Sequence, residues 1–409
     1  MNARHAIGWG VLLAAAVWLA SAGAGGAGAD TTTQLAALPA RAMVLMQEGS
    51  GAIAYGRDAN AELPIASTTK LMTAYVTLQH EPLDAQLVEQ PYAATLGESL
   101  APVPPGTRLS MPDMLRAMLL SSGNNVAYSL AIDVGGSEAG FVAMMNAAAA
   151  KLGLGRTHYT TPVGLDTPPG NYSTADDLAR LARVLMRDPL FREIVAQRSA
   201  RLADGIVVTN RNDLLSHTWV VGIKTGNTFD AGECLVGAAR LDGVRLISVV
   251  LGTPSEAARD ADTLALLRYG LGLYRAARIA VAGRTYASVP VAGRLRPVAL
   301  IAARSSTLVL ARSVDLRASL KLPSRLQGPI AAGTVEGEIA VSENGHRVES
   351  VALVTATAVP APPQPVLGVR AAVAPLRAFA AGTASATALG CSLRVTRTRS
   401  LRCALAMQR

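Results

Sequence analysis

Pro64-Ile65-Ala66-Ser67-Thr68-Thr69-Lys70-Leu71-Met72-Thr73-Ala74-Tyr75 is the stretch on which the reading of this chain turns. Apolar residues recur at Leu71, Ala74, Tyr75 and Leu78, the i, i+3, i+4, i+7 spacing of one buried helix face, and the helix is expected to run to about His80. At about 100° per residue, Ser67 and Lys70 fall on that same stripe. An ammonium on a buried face is costly unless it is paired or neutralised, and burial together with a second cation lowers its pKa. A neutral lysine one turn from a serine can take the hydroxyl proton and make a weak nucleophile usable. Ser-x-x-Lys also arises by accident, so its meaning depends on the rest of the chain.

The chain has 409 residues, enough for two to three domains, and its hydrophobic content of 50% excludes a disordered polyelectrolyte. Aromatics are only 4%, so cores must be built from small aliphatic side chains. Of the 38 basic residues only four are lysines, Lys70, Lys151, Lys224 and Lys321. In so lysine-poor a chain, a lysine inside a chemical motif is not filler. The three cysteines (Cys234, Cys391, Cys403) form no C-x-x-C, and the five histidines show no metal-ligand spacing, so no metal and no cofactor are expected.

Residues 1–29 read as an export leader, with Arg4 and His5, the apolar stretch Ile7 to Ala20, and Ala27-Gly28-Ala29 before Asp30. The alternative is an uncleaved membrane anchor; no further span is expected. Residues 30–276 alternate strand and helix signals. Ala42–Met46 and Ala52–Tyr55 read as strands. Cys234–Ala239 and Val244–Leu251 read as a hairpin turning at Leu241-Asp242-Gly243, and Asp260–Tyr274 as a helix. Strands at both ends with helices between predict an antiparallel sheet assembled from distant parts of the chain. Residues 277–358 read as a small all-β domain with a hairpin at Asn344-Gly345, and residues 359–409 as a Pro/Ala/Arg-rich tail. The fold class expected is α+β.

Two further sites carry chemistry. Ser122-Gly123-Asn124 lies in a Gly-broken turn between two apolar helical stretches, where a hydroxyl and an amide could relay a proton and hold a substrate amide; a plain helix cap is the alternative. Lys224-Thr225-Gly226 lies in the run Val220–Thr228, read as a strand whose glycine lets another backbone approach and along whose edge a peptide could add. An ordinary turn after a strand is the alternative there.

The order S-x-x-K, S-x-N, K-T-G agrees with one known mechanism, and two of the four lysines fill its two lysine positions. The chain resembles the penicillin-recognising serine hydrolases, and among them the low-molecular-weight penicillin-binding proteins that are D-alanyl-D-alanine carboxypeptidases. The resemblance extends from about Ala42 to Thr355 and takes in Gly97-Glu98-Ser99, Pro105-Gly106, Gly164-Leu165-Asp166, Asn210-Arg211-Asn212 and Gly337-Glu338-Ile339. It implies a β-lactamase/transpeptidase-like domain, an antiparallel sheet with a helical cluster, followed by the all-β domain. It also implies Ser67 as nucleophile, Lys70 as base and Ser122 as proton relay. Asn124, Lys224, Thr225 and Gly226 would hold the substrate, the backbone N–H groups of Ser67 and Asn227 would form the oxyanion site, and Arg259 would take the terminal carboxylate. Arg211 is a further candidate for that carboxylate or a brace for the K-T-G strand. The substrate implied is a peptidoglycan stem peptide, with β-lactams as covalent inhibitors. The other readings are a D,D-endopeptidase on cross-links and a non-catalytic cell-wall-binding protein of the same fold.

The chain departs from the family at three places: Asn125 stands where an acid is common, Val221 where Asp is, and Asn227 where His is. No Glu lies between Gly164 and Ser173 to activate water, so a penicillin adduct is expected to persist. The formal net charge of +9 raises the question of nucleic acid. Seven of those charges are arginines of the tail and one is Arg4, which leaves +1 for residues 30–358. No nucleic-acid role is expected. The tail is expected either to lie on a membrane surface or to be disordered, and Cys391 could pair with Cys403.

Overall fold

The computed structural model describes residues 32–361 except 167–169 and 204, together with the two-residue strand Leu393–Arg394. The expected leader, almost all of the tail, and Cys391 and Cys403 lie outside these residues. Residues 32–36 form a short helical turn, and the chain from Pro39 onward is a separate unit.

That larger unit is built on a five-stranded antiparallel sheet. Its strands are β1 (Ala42–Gln47), β2 (Ile53–Arg57), β3 (Val220–Thr228), β4 (Gly232–Leu241) and β5 (Val244–Thr253), in the order β2-β1-β5-β4-β3. The two distant parts of the chain join in the middle, where Ala42 lies opposite Leu251 and Gln47 opposite Leu246. β1 is buried from end to end, because both faces of the sheet are covered. Ala42, Val44 and Met46 face the helical core together with Ile247, Val249 and Leu251. Leu45 and Leu246 face the other way, against Gly270 of a long C-terminal helix. The β4–β5 hairpin turns where expected, with positive φ at Asp242 (47°) and Gly243 (84°), as a two-residue hairpin turn of this kind requires.

Seven helices complete this part: α1 (Lys70–His80), α2 (Met111–Ser121), α3 (Asn124–Gly135), α4 (Glu138–Lys151), α5 (Ala175–Leu185), α6 (Pro189–Val195) and α7 (Glu256–Leu273). α7 begins four residues earlier than the apolar spacing suggests, because Ser255 caps it by accepting from the Ala258 N–H. α1 begins later than expected. Ala66–Thr69 form a 3-10 turn and the α-helix starts at Lys70, with the Thr68 hydroxyl donating to the Ile65 carbonyl.

Beyond α7 the regular elements among the described residues are strands. β6 (Tyr274–Ala280) pairs with β9 (Ser306–Ala311). β7 (Thr285–Val289), β8 (Val298–Ala302), β10 (Leu316–Lys321), β11 (Val335–Glu343) and β12 (His346–Thr355) run in the order β7-β8-β12-β11-β10, and Leu393–Arg394 adds beside β10. These strands have their own core, including Leu300, Val341, Val351 and Leu353. For function the decisive feature is that β3 is an edge strand of the first sheet and the turn before α1 lies against it.

Candidate active site

The three motifs come together. Lys70 is fully buried at the first position of α1, and its Nζ lies 2.8 Å from Ser67 Oγ, 2.6 Å from Asn124 Oδ1 and 2.9 Å from the Val163 carbonyl oxygen. Two of these neighbours can only accept, so they take two N–H groups. A neutral amine then has one lone pair left, and it faces the Ser67 hydroxyl. That is the arrangement of a base waiting for a proton. Burial holds the Lys70 pKa well below the ordinary value, Lys224 and Arg211 lower it further, and Glu98 opposes them.

Ser122 follows the last residue of α2 in the left-handed conformation (φ 62°), and the helix after it starts from Gly123 with no side-chain cap. The Ser122 hydroxyl faces inward and accepts from Lys224 Nζ at 3.0 Å. Lys224 is itself buried on β3, and burial, with Arg211 and Arg259 nearby, pushes its pKa down to about 7. The site thus holds two serine–lysine pairs. The backbone of the edge strand comes close on the Ser67 side: a Cβ on Gly226 would stand 3.1 Å from the Ser67 and Thr68 backbone nitrogens. The glycine therefore permits the close approach expected of it. Thr225 is buried, and Asn227 follows at the exposed end of β3.

A loop supports this turn from below. Gly164 has φ +89°, and a Cβ there would lie 2.1 Å from the Ala66 carbonyl oxygen and 2.7 Å from Thr69 Oγ1. Asn171 ties the same loop to the turn before α1: its Nδ2 donates to Thr69 Oγ1 and to the Thr161 carbonyl, and its Oδ1 accepts from the Thr160 and Thr161 N–H groups. Gly164→Ala should therefore displace the residue before Ser67 and cost about 2–4 kcal/mol of stability, with slower acylation. Thermal unfolding checks this, and a variant melting with the wild type would show that the loop can simply move aside.

Arg259, expected to take the terminal carboxylate, lies on α7. Its side chain is 2% exposed and carries three carboxylates, with Nη1 3.0 Å from Glu233 and 3.3 Å from Glu256 and Nε 2.9 Å from Asp260. Glu233, which lies opposite Asn227 across β3 and β4, also accepts from Asn227 Nδ2. A substrate carboxylate reaching Arg259 must therefore compete with Glu233. Arg211 is tied to the end of α2, donating from Nε to the Ser121 carbonyl at 3.0 Å. Asn125, where an acid is common, pairs with both the N–H and the carbonyl of Ala101; a carboxylate could accept but not donate there. Cys234 is buried, and its thiol is pushed up to about 11 by burial, which leaves it inert.

Glu98, Glu233, Asn171 and the Val163 carbonyl carry no motif of their own. Only Glu98 stood inside a stretch that sequence reasoning had marked.

Comparison with known proteins follows the same lines. The peptidase S11 family model, described as D-alanyl-D-alanine carboxypeptidase, matches residues 29–255. The D-alanyl-D-alanine carboxypeptidase DacC of Escherichia coli (strain K12) is 32% identical over 345 residues, 80% of this chain and 86% of that protein. DacB2 of Mycobacterium tuberculosis is 38% identical over 219 residues, 52% of this chain and 75% of that protein. Among solved structures, penicillin binding protein 5 from Haemophilus influenzae superposes with a TM-score of 0.57 at 29% identity, covering 79% of this chain and 98% of that one. The Streptomyces K15 DD-transpeptidase superposes with a TM-score of 0.54 at 32% identity, covering 58% of this chain and 99% of that one.

Proposed function

The chain belongs to the D-alanyl-D-alanine carboxypeptidase family of serine peptidases, and from that premise we propose that it removes the terminal D-Ala of peptidoglycan pentapeptide stems through an acyl-enzyme on Ser67. The observation that carries this reading is the environment of Lys70, whose two acceptor neighbours leave one lone pair for the Ser67 hydroxyl. Ser67 Oγ attacks the carbonyl carbon of the penultimate D-Ala and its proton passes to Lys70 Nζ. The tetrahedral oxyanion is met by the backbone N–H groups of Ser67 and Asn227. Ser122 gives its hydroxyl proton to the departing nitrogen as the C–N bond breaks and takes a replacement from the ammonium formed on Lys70, and D-Ala leaves as the free amine. Water then adds to the ester carbonyl, giving a proton to Lys70, and as the bond from Ser67 Oγ to the acyl carbon breaks Ser67 takes that proton back. Lys224 supplies positive charge beside Ser122, and Asn124 and Thr225 hold the peptide along β3. A β-lactam would enter by the same first step and, without a Glu between Gly164 and Ser173 to activate water, would remain as an adduct. Peptidoglycan as substrate implies an exported protein; among the described residues no helix is long and apolar enough to cross a membrane.

The reading makes a claim about pH. Lys70 must be neutral to act as base, so kcat/KM rises as pH climbs through its lowered pKa. Lys224 must be cationic to favour the developing negative charge, so kcat/KM falls once pH passes its value of about 7. The profile should be bell-shaped, and Lys224→Arg, which stays protonated, should lose the alkaline limb. D-Ala release from a diacyl-D-Ala-D-Ala tripeptide across pH measures both, and a wild-type rate still climbing at pH 9 would contradict the assignment. Incubation with isolated peptidoglycan fragments tests the substrate. Loss of D-Ala from pentapeptide monomers is expected; conversion of cross-linked dimers to monomers in its place would assign the enzyme to cross-links.

A further inference from the structure

Glu98 has no part in the mechanism above, yet it is bonded to the site. It lies in the loop joining the short strands Gln86–Val88 and Arg108–Ser110, and that loop is stitched to the start of α3. The Asn124 N–H donates to the Ser99 carbonyl at 2.8 Å, the Ala101 N–H donates to Asn125 Oδ1 at 2.9 Å, and Asn125 Nδ2 donates to the Ala101 carbonyl at 3.1 Å. The Glu98 carboxylate therefore has a set position. Its Oε2 accepts from Asn124 Nδ2 at 2.7 Å and from the Tyr92 hydroxyl at 2.5 Å, and its Oε1 accepts from the Thr95 N–H at 2.8 Å and the Thr95 hydroxyl at 2.7 Å.

A carboxamide that donates to an ionised carboxylate on one side must present its oxygen on the other. Turning Asn124 over would set its Oδ1 against the Glu98 carboxylate and its Nδ2 against Lys70 Nζ, leaving the Val163 carbonyl as the one carbonyl acceptor and drawing the amine's lone pair toward Nδ2 in place of the Ser67 hydroxyl. We propose that Glu98 is a positioning residue: it fixes the orientation of the Asn124 carboxamide, and through it the assignment of donors and lone pair on Lys70 that aims the base at Ser67. This rests on Lys70 being the base, as argued above.

Charge follows the same path. Burial opposes ionisation of Glu98, but the hydrogen bonds from Tyr92, Asn124 and Thr95 outweigh it and hold the carboxyl below its ordinary range. Of the charged groups that act on Lys70, Lys224 on β3 and Arg211 in the loop before it disfavour the ammonium, and Glu98 favours it. Glu98 thus steadies the geometry of the base while keeping it from becoming too weak. A base whose pKa falls too far below the working pH takes a proton poorly, so the two effects serve one end.

The test is the pH dependence of acylation by a fluorescent penicillin, with thermal unfolding alongside, on the full chain and on Glu98→Gln and Glu98→Ala. Glutamine keeps one acceptor but turns a donor toward the loop and removes the charge. Acylation at the optimum should fall by about ten- to a hundredfold in both variants, the usual cost of misplacing a catalytic group slightly. The acid limb of the profile should move to lower pH, since loss of the anion lowers the Lys70 pKa. A limb that stays in place overturns the proposal, including the case of a lowered melting temperature, which would leave Glu98 as a loop brace only. The underlying reading fails separately, if covalent labelling survives replacement of Ser67.

Discussion

Ser67→Ala should abolish covalent labelling by penicillin and lower D-Ala release by about four orders of magnitude or more, as loss of the nucleophile does in other serine hydrolases. The site makes this a sharp test, because it contains a second serine beside a second buried lysine. Ser122 Oγ lies 3.0 Å from Lys224 Nζ, much as Ser67 Oγ lies 2.8 Å from Lys70 Nζ. Hydrogen-bond geometry alone does not separate the pairs. The backbone of the edge strand does: Gly226 brings β3 against the backbone nitrogens of Ser67 and Thr68, and on the proposed reading a peptide added along β3 passes the Ser67 hydroxyl. Ser122 sits deeper, nearly fully buried, in the left-handed turn between α2 and α3. Ser122→Ala should accordingly still label, slowly. The Ser67→Ala protein should melt with the wild type, since Ser67 is half-buried and the turn is held by Thr68 and by Asn171 through Thr69. Labelling of the Ser67→Ala protein would overturn the nucleophile assignment.

Lys70→Met should fold and should acylate about 10³–10⁴-fold more slowly, a loss of about 4–5 kcal/mol of transition-state stabilisation. Methionine matches the length of the lysine stem and removes the amine. The Asn124 Oδ1 and the Val163 carbonyl each lose a donor, which costs about 1–3 kcal/mol apiece if they stay buried and unpaired. Relief of the desolvated amine offsets part of that. Stability should therefore change modestly while the chemical step collapses, and stopped-flow acylation with parallel thermal unfolding separates the two. Lys70→Arg should fail as completely, because a guanidinium does not give up its proton at any working pH. An acylation rate within tenfold of wild type in the Lys70→Met protein would show that another group takes the Ser67 proton.

Much of this was legible in the sequence because the relevant information is local. Lys70 follows Ser67 by one turn, and the apolar spacing after it belongs to a single helix. Ser122-Gly123-Asn124 is punctuated by its own glycine, and the strand Val220–Thr228 was marked end to end. Both hairpin turns, Asp242-Gly243 and Asn344-Gly345, declare themselves because a tight turn needs positive φ at both positions and few residues supply it. The 3-10 turn at Ala66–Thr69 was not legible, since an apolar period cannot distinguish a helix's first turn from a tighter one. Arg259 was found by its match to a family position. That it would be buried and occupied by Glu233, Glu256 and Asp260 could not be read, because Glu233 lies 26 residues away on another element.

The sequence by itself determined which groups can do the chemistry: one serine a turn before a lysine, a second serine and an asparagine around a glycine, and a second lysine two residues before a glycine on one strand. Tertiary structure alone decided their protonation and their aim. Asn124 reaches Lys70 across 54 residues, Lys224 reaches Ser122 across 102, and Glu98 reaches Asn124 across 26. Desolvation and charge–charge interaction depend on distance in space and on what has displaced water, and neither is encoded in spacing along a chain. A buried lysine becomes a base only when the fold closes over it and brings up a second cation, and the four letters S-x-x-K carry neither.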